Sequence, residues 1–129
     1  MLVSDIMQTE VRTVSAFATL REAMRLMREH GVRALVVEKK TPSDAYGILT
    51  YGNILRAIFA EEGDIDLINV YDVCAKPAIA VAAEMDARHA AALMVRHDFR
   101  RVLVLEGNEL RGILTMNDIM APVLRMVGE

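Results

Sequence analysis

The sequence predicts a mixed α/β (α+β) fold, in which two copies of one β-α-β-β-α unit are related by a pseudo-twofold axis and form one compact module. The segment GILT stands at 47–50 and again at 112–115. Residues 3–37 also match 70–104 at an offset of 67, with at least ten identical pairs. A chain of 129 residues, 53% of them hydrophobic, can bury one shared core but is short for two independent domains.

Each repeat opens with a short lead-in, VSDIM or VYDVC, and a brief strand around 13–14 or 80–81. Apolar residues at helical spacing then predict helices over 20–30 and 87–97. Thr19 and Glu22 have the spacing of a capping box at the start of the first helix, and Asp86 can cap the second. The methionines on these helices, Met24, Met27 and Met94, are expected to fill the core.

Two strands and a last helix complete each repeat. RALVVE pairs with AYGILT, and RVLVLE pairs with LRGILT through a turn that contains Gly107 and Asn108. The last helices are predicted over 51–61 and 116–127, with a kink or break near Ala121 because Pro122 follows it. The predicted boundaries are 1–62 for the first repeat, 63–69 for a linker and 70–129 for the second repeat.

Composition excludes several classes of protein. Fifteen basic against eighteen acidic residues give a net charge of −3, which disfavours nucleic-acid binding. The longest apolar stretch, 78–83, is far shorter than the ~20 residues of a membrane helix, and we expect a cytoplasmic protein. Cys74 is the only cysteine, so an internal disulfide is impossible. No nucleophile motif, Walker loop or paired-histidine metal motif is present, so no cofactor, metal or enzymatic activity is predicted.

The order of elements resembles the cystathionine-β-synthase (CBS) domain family. The residues that carry the resemblance are DIM near the start, GVRALVV on the middle strand and GILTMNDI leading into the last helix. The chain is similar to a stand-alone tandem pair. The resemblance implies a cleft between the repeats for an adenosine-containing ligand such as AMP, ADP, ATP or S-adenosylmethionine, and association into a homodimer.

The segment TMND at 115–118 is the main candidate site. One interpretation is helix capping alone, since Thr at the N-cap and an acid three residues later approach a capping box. The other, favoured because strand arginines accompany the caps, assigns Asp118 to ribose hydroxyls and Thr115 to the ribose or a phosphate. The resemblance places Arg101, with Arg100 beside it, near the phosphate, and the base among Val14, Val32 and Ala34.

A second, weaker site is expected in the other repeat. It consists of Thr50, Asn53 and Arg33, with a base slot around Val81 and Phe99. Asn53 departs from the aspartate that the family usually has, so it lacks the charge for strong ribose binding. Arg33 and Arg100 could equally be solvated surface charges.

The last helices carry wide apolar stripes that predict self-association. These residues are Ile54, Leu55, Ile58, Phe59, Ile119, Met120, Val123, Leu124 and Val127. The sequence therefore predicts a non-enzymatic regulatory module that senses an adenine nucleotide and signals through an effector protein or its own dimer. A ligand-free dimeric scaffold is the alternative.

Overall fold

The structure of the protein is a computed structural model that describes residues 1–128. Two copies of a β-α-β-β-α order are present, as predicted, and each is preceded by one helical turn. The elements of the first copy are α1 Val3–Ile6, β1 Thr13–Val14, α2 Leu20–His30, β2 Ala34–Val37, β3 Gly47–Thr50 and α3 Tyr51–Leu55. Those of the second are α4 Val70–Val73, β4 Ala80–Ala82, α5 Ala87–His97, β5 Arg101–Glu106, β6 Glu109–Thr115 and α6 Met116–Leu124.

Helix α2 begins and ends where its sequence signals predict. The Thr19 hydroxyl oxygen accepts from the Glu22 amide at 3.2 Å. The helix ends at Gly31, whose φ of 62° lies in the left-handed region that glycine adopts without a steric penalty. Its inner face buries Leu20, Ala23 and Met27.

Helix α5 has the same length but a different terminator. Asp86 accepts from the Arg88 amide at 2.8 Å and caps the start, and Met94 is fully buried. The helix ends at Asp98, which adopts φ 56° and ψ 40°. A left-handed conformation is costly for a residue with a Cβ, although aspartate tolerates it better than most residues.

Asp98→Gly is therefore expected to raise the free energy of unfolding by about 0.5–1 kcal/mol, because glycine relieves the left-handed strain. The greater backbone entropy of glycine in the unfolded chain offsets part of the gain. Urea denaturation would measure the effect. The control is Gly31→Ala, which should lower stability; a loss of stability in Asp98→Gly would contradict the argument.

Each repeat contributes one three-stranded sheet. In the first, β1 is parallel to β2 and β2 is antiparallel to β3, and the second has the same order with β4, β5 and β6. Helix α2 packs on the first sheet and α5 on the second, each with its own apolar core. Met27 and Met94 are core residues and Met24 packs against the first core, as predicted.

The compact units of the structure are not the sequence repeats. One unit consists of 12–78, and the other combines 1–11 with the chain from 79 onward. The lead-in of the first repeat bonds to the sheet of the second, since Gln8 and Ile113 exchange main-chain hydrogen bonds of 2.9 and 3.0 Å. Likewise Ala75 and Ile48 exchange two bonds of 2.9 Å. Packing therefore divides the chain after residues 11 and 78, whereas the predicted boundaries were drawn from sequence similarity alone.

The glycine of each GILT segment lies under a lead-in. A Cβ on Gly112 would stand 2.5 Å from the Gln8 carbonyl oxygen and 2.9 Å from the Met7 sulfur. A Cβ on Gly47 would stand 3.1 Å from the carbonyl oxygen of Ala75 and from the Cys74 sulfur. Close approach of two main chains explains why glycine recurs at this position.

The last helices occupy nearly the predicted spans, 51–60 and 116–127, but they are not α-helical throughout. α3 is five residues long and continues as a π-helical turn over Arg56–Ala60. α6 is not broken near Ala121, since the α-helix passes through Pro122 to Leu124 and then tightens into a 3-10 turn over Arg125–Val127. Proline removes one backbone donor, but the helical hydrogen bonds beyond it form, and the Arg125 amide donates to the Ala121 carbonyl.

Candidate functional site

The junction of β6 and α6 places Thr115 and Asp118 in a reciprocal capping box. Asp118 Oδ2 accepts from the Thr115 amide at 2.7 Å and from the Thr115 hydroxyl at 2.9 Å. The Asp118 amide approaches the Thr115 hydroxyl at 3.3 Å. The carboxylate thus starts α6, as the capping interpretation expects, and Oδ1 accepts no hydrogen bond from Thr115.

Gln8 is a neighbour of Asp118 that sequence reasoning missed. Its side-chain Nε2 donates to both oxygens of the Asp118 carboxylate, to Oδ1 at 3.1 Å and to Oδ2 at 3.2 Å. The two residues are 110 positions apart and meet because the lead-in adds to β6. The sequence gives one hint of this contact: both partners differ from their equivalents in the other repeat. Gln8 corresponds to Ala75, and Asp118 corresponds to Asn53.

The other unit builds the same box without a charge. Asn53 Oδ1 accepts from the Thr50 amide at 2.9 Å and from the Thr50 hydroxyl at 3.0 Å. An amide oxygen is therefore sufficient to cap a helix at this position. The negative charge of Asp118 is not needed for capping.

Arg101 stands beside Thr115 on the neighbouring strand. The two residues are directly opposite in the antiparallel register of β5 and β6, so their side chains point to the same face of the sheet. Arg101 is half-buried and Arg100 is exposed, with the Arg100 carbonyl accepting from the Met116 amide at 3.1 Å. The residue opposite Thr50 is Ala34, so the unit 12–78 lacks the corresponding strand arginine.

The residues predicted to flank a base lie in different environments. Val14 and Val81 are each 4% exposed within the cores of their own units, so they can offer only main chain to a ligand. Val32 and Ala34 are half-buried in the unit 12–78, where Arg33 is exposed. Phe99 is half-buried and stacks on His97 with ring centroids 5.3 Å apart.

The apolar stripes of the last helices are narrower than predicted. Ile54 is 6% exposed and belongs to a core, while Ile58 and Ile119 are partly buried against the cores, so these three do not form an outer surface. The sequence spacing did not reveal how far each sheet extends over its last helix. The exposed members are Leu55, Phe59, Met120, Val123, Leu124 and Val127.

Metal sites and membrane-spanning helices are both absent from the described residues, 1–128. They contain no group of three histidine, cysteine or acidic side chains placed to hold a metal ion. None of their helices combines the length and apolar character that crossing a bilayer requires.

Comparison with known proteins gives consistent matches. The sequence profile described as CBS domain matches residues 3–60 and 70–125. The chain is 31% identical over 121 residues to an uncharacterised protein of Methanopyrus kandleri, in an alignment that covers 92% of this chain and 60% of the relative. The chain therefore spans less than two thirds of that relative's length.

Solved structures share the fold. A hexameric CBS-CP12 protein from bloom-forming cyanobacteria has a TM-score of 0.86 and 31% identity, over 98% of this chain and 74% of that one. CBSX2, solved in complex with AMP, has a TM-score of 0.79 and 24% identity, over 98% of both chains. These matches confirm the predicted two-repeat α/β fold.

Proposed function

The chain belongs to the CBS domain family, and on that premise we propose that it is a regulatory module without enzymatic activity that binds an adenosine-containing ligand. The candidate ligands are AMP, ADP, ATP and S-adenosylmethionine. The AMP bound to CBSX2, which has the same fold, supports this ligand class.

The observation that carries the proposal is the charge of Asp118. Capping does not require it, because Asn53 makes the same box with an amide. A carboxylate is a stronger acceptor than an amide for the hydroxyl groups of a ribose. Asp118 Oδ1, which accepts no hydrogen bond from Thr115, is the oxygen that a sugar would use.

Arg101 extends the site towards a phosphate. Its position opposite Thr115 puts a guanidinium and a helix start at one end of the sheet, and both favour an anion. The unit with Thr50 has Asn53 and Ala34 at the matching places, so we assign it the weaker site, with Arg33 as its cation. The base contacts of Val14, Val32, Ala34, Val81 and Phe99 stay predictions from the family resemblance.

Regulation requires that the ligand bind two arrangements of the protein with different affinity. We propose self-association through the exposed apolar residues of the last helices, with Phe59 77% exposed. The hexameric state of the CBS-CP12 protein supports assembly as a property of such chains. The signal would pass through this interface or to an effector protein.

A thermal-shift panel with AMP, ADP, ATP, NAD and S-adenosylmethionine tests the proposal. A ligand at 100 times its dissociation constant adds about 2.7 kcal/mol to the folded state, which raises Tm by several degrees in a chain of this size. All five compounds contain adenosine, and we expect at least one of them to produce this shift. A transition that no compound moves would reject nucleotide sensing.

The second candidate function is a ligand-free scaffold. Two observations favour it: the Asp118 carboxylate is already engaged by Thr115 and Gln8, and six apolar residues of the last helices are exposed. A cavity of about 320 Å³ beside Leu55 and Tyr51 adds apolar surface there. A stable oligomer in light scattering, together with a silent ligand panel, would favour this function.

A further inference from the structure

The hydrogen bonds of Asp118 leave little room for a sugar. Oδ2 already accepts from the Thr115 amide and hydroxyl and also shares the Gln8 amide at 3.2 Å, so it has no lone pair left for a ligand. Oδ1 accepts from Gln8 Nε2 at 3.1 Å and so retains one free lone pair. A ribose presents two neighbouring hydroxyl donors, and the carboxylate can accept only one of them while the Gln8 contact persists.

The repeat supplies an internal comparison. The residue equivalent to Gln8 is Ala75, and it makes the same pair of main-chain bonds to the third strand of its sheet. Gln8 faces a carboxylate, whereas Ala75 accompanies the amide of Asn53. The fold therefore does not need a long side chain at this position, and the glutamine occurs where there is a charge for it to contact.

We propose that Gln8 is a specificity-determining residue that competes with the ligand for Asp118. Its amide donates where the second ribose hydroxyl would donate, so full engagement of the diol requires the amide to turn away. This inference rests on the proposed nucleotide site at Asp118. It makes the affinity of that site lower than Asp118 alone would give.

The Gln8 side chain can leave Asp118 at a small cost in free energy. The main chain of Gln8 is fixed by its two bonds to Ile113, while the side chain is exposed and linked to Asp118 by weak contacts of 3.1 and 3.2 Å. Turning the side chain breaks these contacts but leaves the lead-in and the capping box in place. The freed amide can then bond to water.

The competition has a chemical signature. A ligand with one hydroxyl, such as 2′-deoxy-AMP, can use the free lone pair of Oδ1 without displacing Gln8. A ligand with the full diol, such as AMP, gains its second hydrogen bond only after displacement. Gln8 should therefore lower the preference for the ribonucleotide over the deoxynucleotide.

The test is calorimetric titration of the full chain with AMP and 2′-deoxy-AMP. In Gln8→Ala we expect AMP to bind about 3- to 10-fold more tightly, the worth of one net hydrogen bond, and 2′-deoxy-AMP to change by less than about twofold. Gln8→Asn, whose shorter amide does not reach the same place, should behave like Gln8→Ala. Ala75→Gln is the matched control in the other unit and should leave the stronger site unchanged.

The outcomes separate the two proposals. If AMP binds to the wild type and Gln8→Ala leaves its affinity unchanged or weakens it, the competition is rejected while nucleotide binding stands. Equal tightening of both nucleotides would also reject it, because the second hydroxyl would not be the group in competition. If neither protein binds either nucleotide, the proposed function fails and this inference fails with it. Binding by Gln8→Ala alone would support the inference in its strongest form.

Discussion

Gly112→Ala is expected to lower the free energy of unfolding by about 2–3 kcal/mol, at the upper end of what overpacking usually costs. The new Cβ would stand 2.5 Å from the Gln8 carbonyl oxygen and 2.9 Å from the Met7 sulfur. The methionine can move, but the carbonyl accepts a hydrogen bond from the Ile113 amide at 3.0 Å. Moving the main chain at Gln8 would break this bond, so the lead-in would detach in part from β6.

Gly47→Ala is the matched control in the unit 12–78. Its Cβ would meet the Ala75 oxygen and the Cys74 sulfur at 3.1 Å, contacts that a shift of a few tenths of an ångström relieves. We expect a loss of about 1 kcal/mol. Urea denaturation of the two variants measures the difference, and an equal or larger loss in Gly47→Ala would show that the close approach at Gly112 is not the cause.

Asp118→Asn is expected to weaken nucleotide binding by about tenfold or more while leaving the fold intact. Hydrogen bonds to a carboxylate are roughly twice as strong as those to a neutral acceptor. The capping box should persist, because Asn53 already makes it with an amide oxygen 2.9 Å from the Thr50 amide. The measurement is the dissociation constant of the best compound from the ligand panel, with the melting temperature of the free protein as a check on folding.

Asn53→Asp is the reciprocal variant. It adds to the unit 12–78 the charge that Asp118 gives to the other unit, and we expect it to strengthen the weaker site or to make a second binding event measurable. A large loss of binding in Asn53→Asp with no loss in Asp118→Asn would reverse the assignment of the two sites. If both variants change the dissociation constant equally and only slightly, the carboxylate of Asp118 is not a recognition group for the ligand.

The secondary structure could be predicted well because its signals are local. The limits of α2 follow from a threonine cap and a glycine terminator that lie within one turn of its ends. The strands GILT and RVLVLE follow from apolar runs bounded by turn residues. Pro122 was a weaker guide, since a proline within a helix removes one donor and does not by itself decide where the helix ends.

The surroundings of Asp118 could be predicted only in part. Thr115 and Asp118 are three residues apart, so their capping box was visible as one of two interpretations, and the structure contains it. Gln8 could not be placed, because its contact depends on the lead-in of one repeat adding to the sheet of the other. The local patterns of a sequence do not reveal a contact between two residues that are 110 positions apart.

The sequence correctly predicted that the last helices carry exposed apolar residues, but it predicted too many of them. Helical spacing identifies which side chains share a face, but it does not say how much of that face the sheet covers. Ile54 and Ile119 lie on the covered edge, whereas Leu55 and Leu124 lie outside it. Burial at the margin of a helix is a tertiary property, so sequence alone overestimates the surface left for association.

The exchange of lead-ins has a consequence for how the gene could be cut and rejoined. Dividing the chain at 62 would separate 1–11 from the sheet that it completes and would leave β3 without Ala75. A circularly permuted chain, with its present ends linked and new ends opened between Val11 and Arg12, would instead carry each folding unit as one uninterrupted stretch. In the present order, a cut between the two repeats therefore leaves each sheet without the segment that pairs with its third strand.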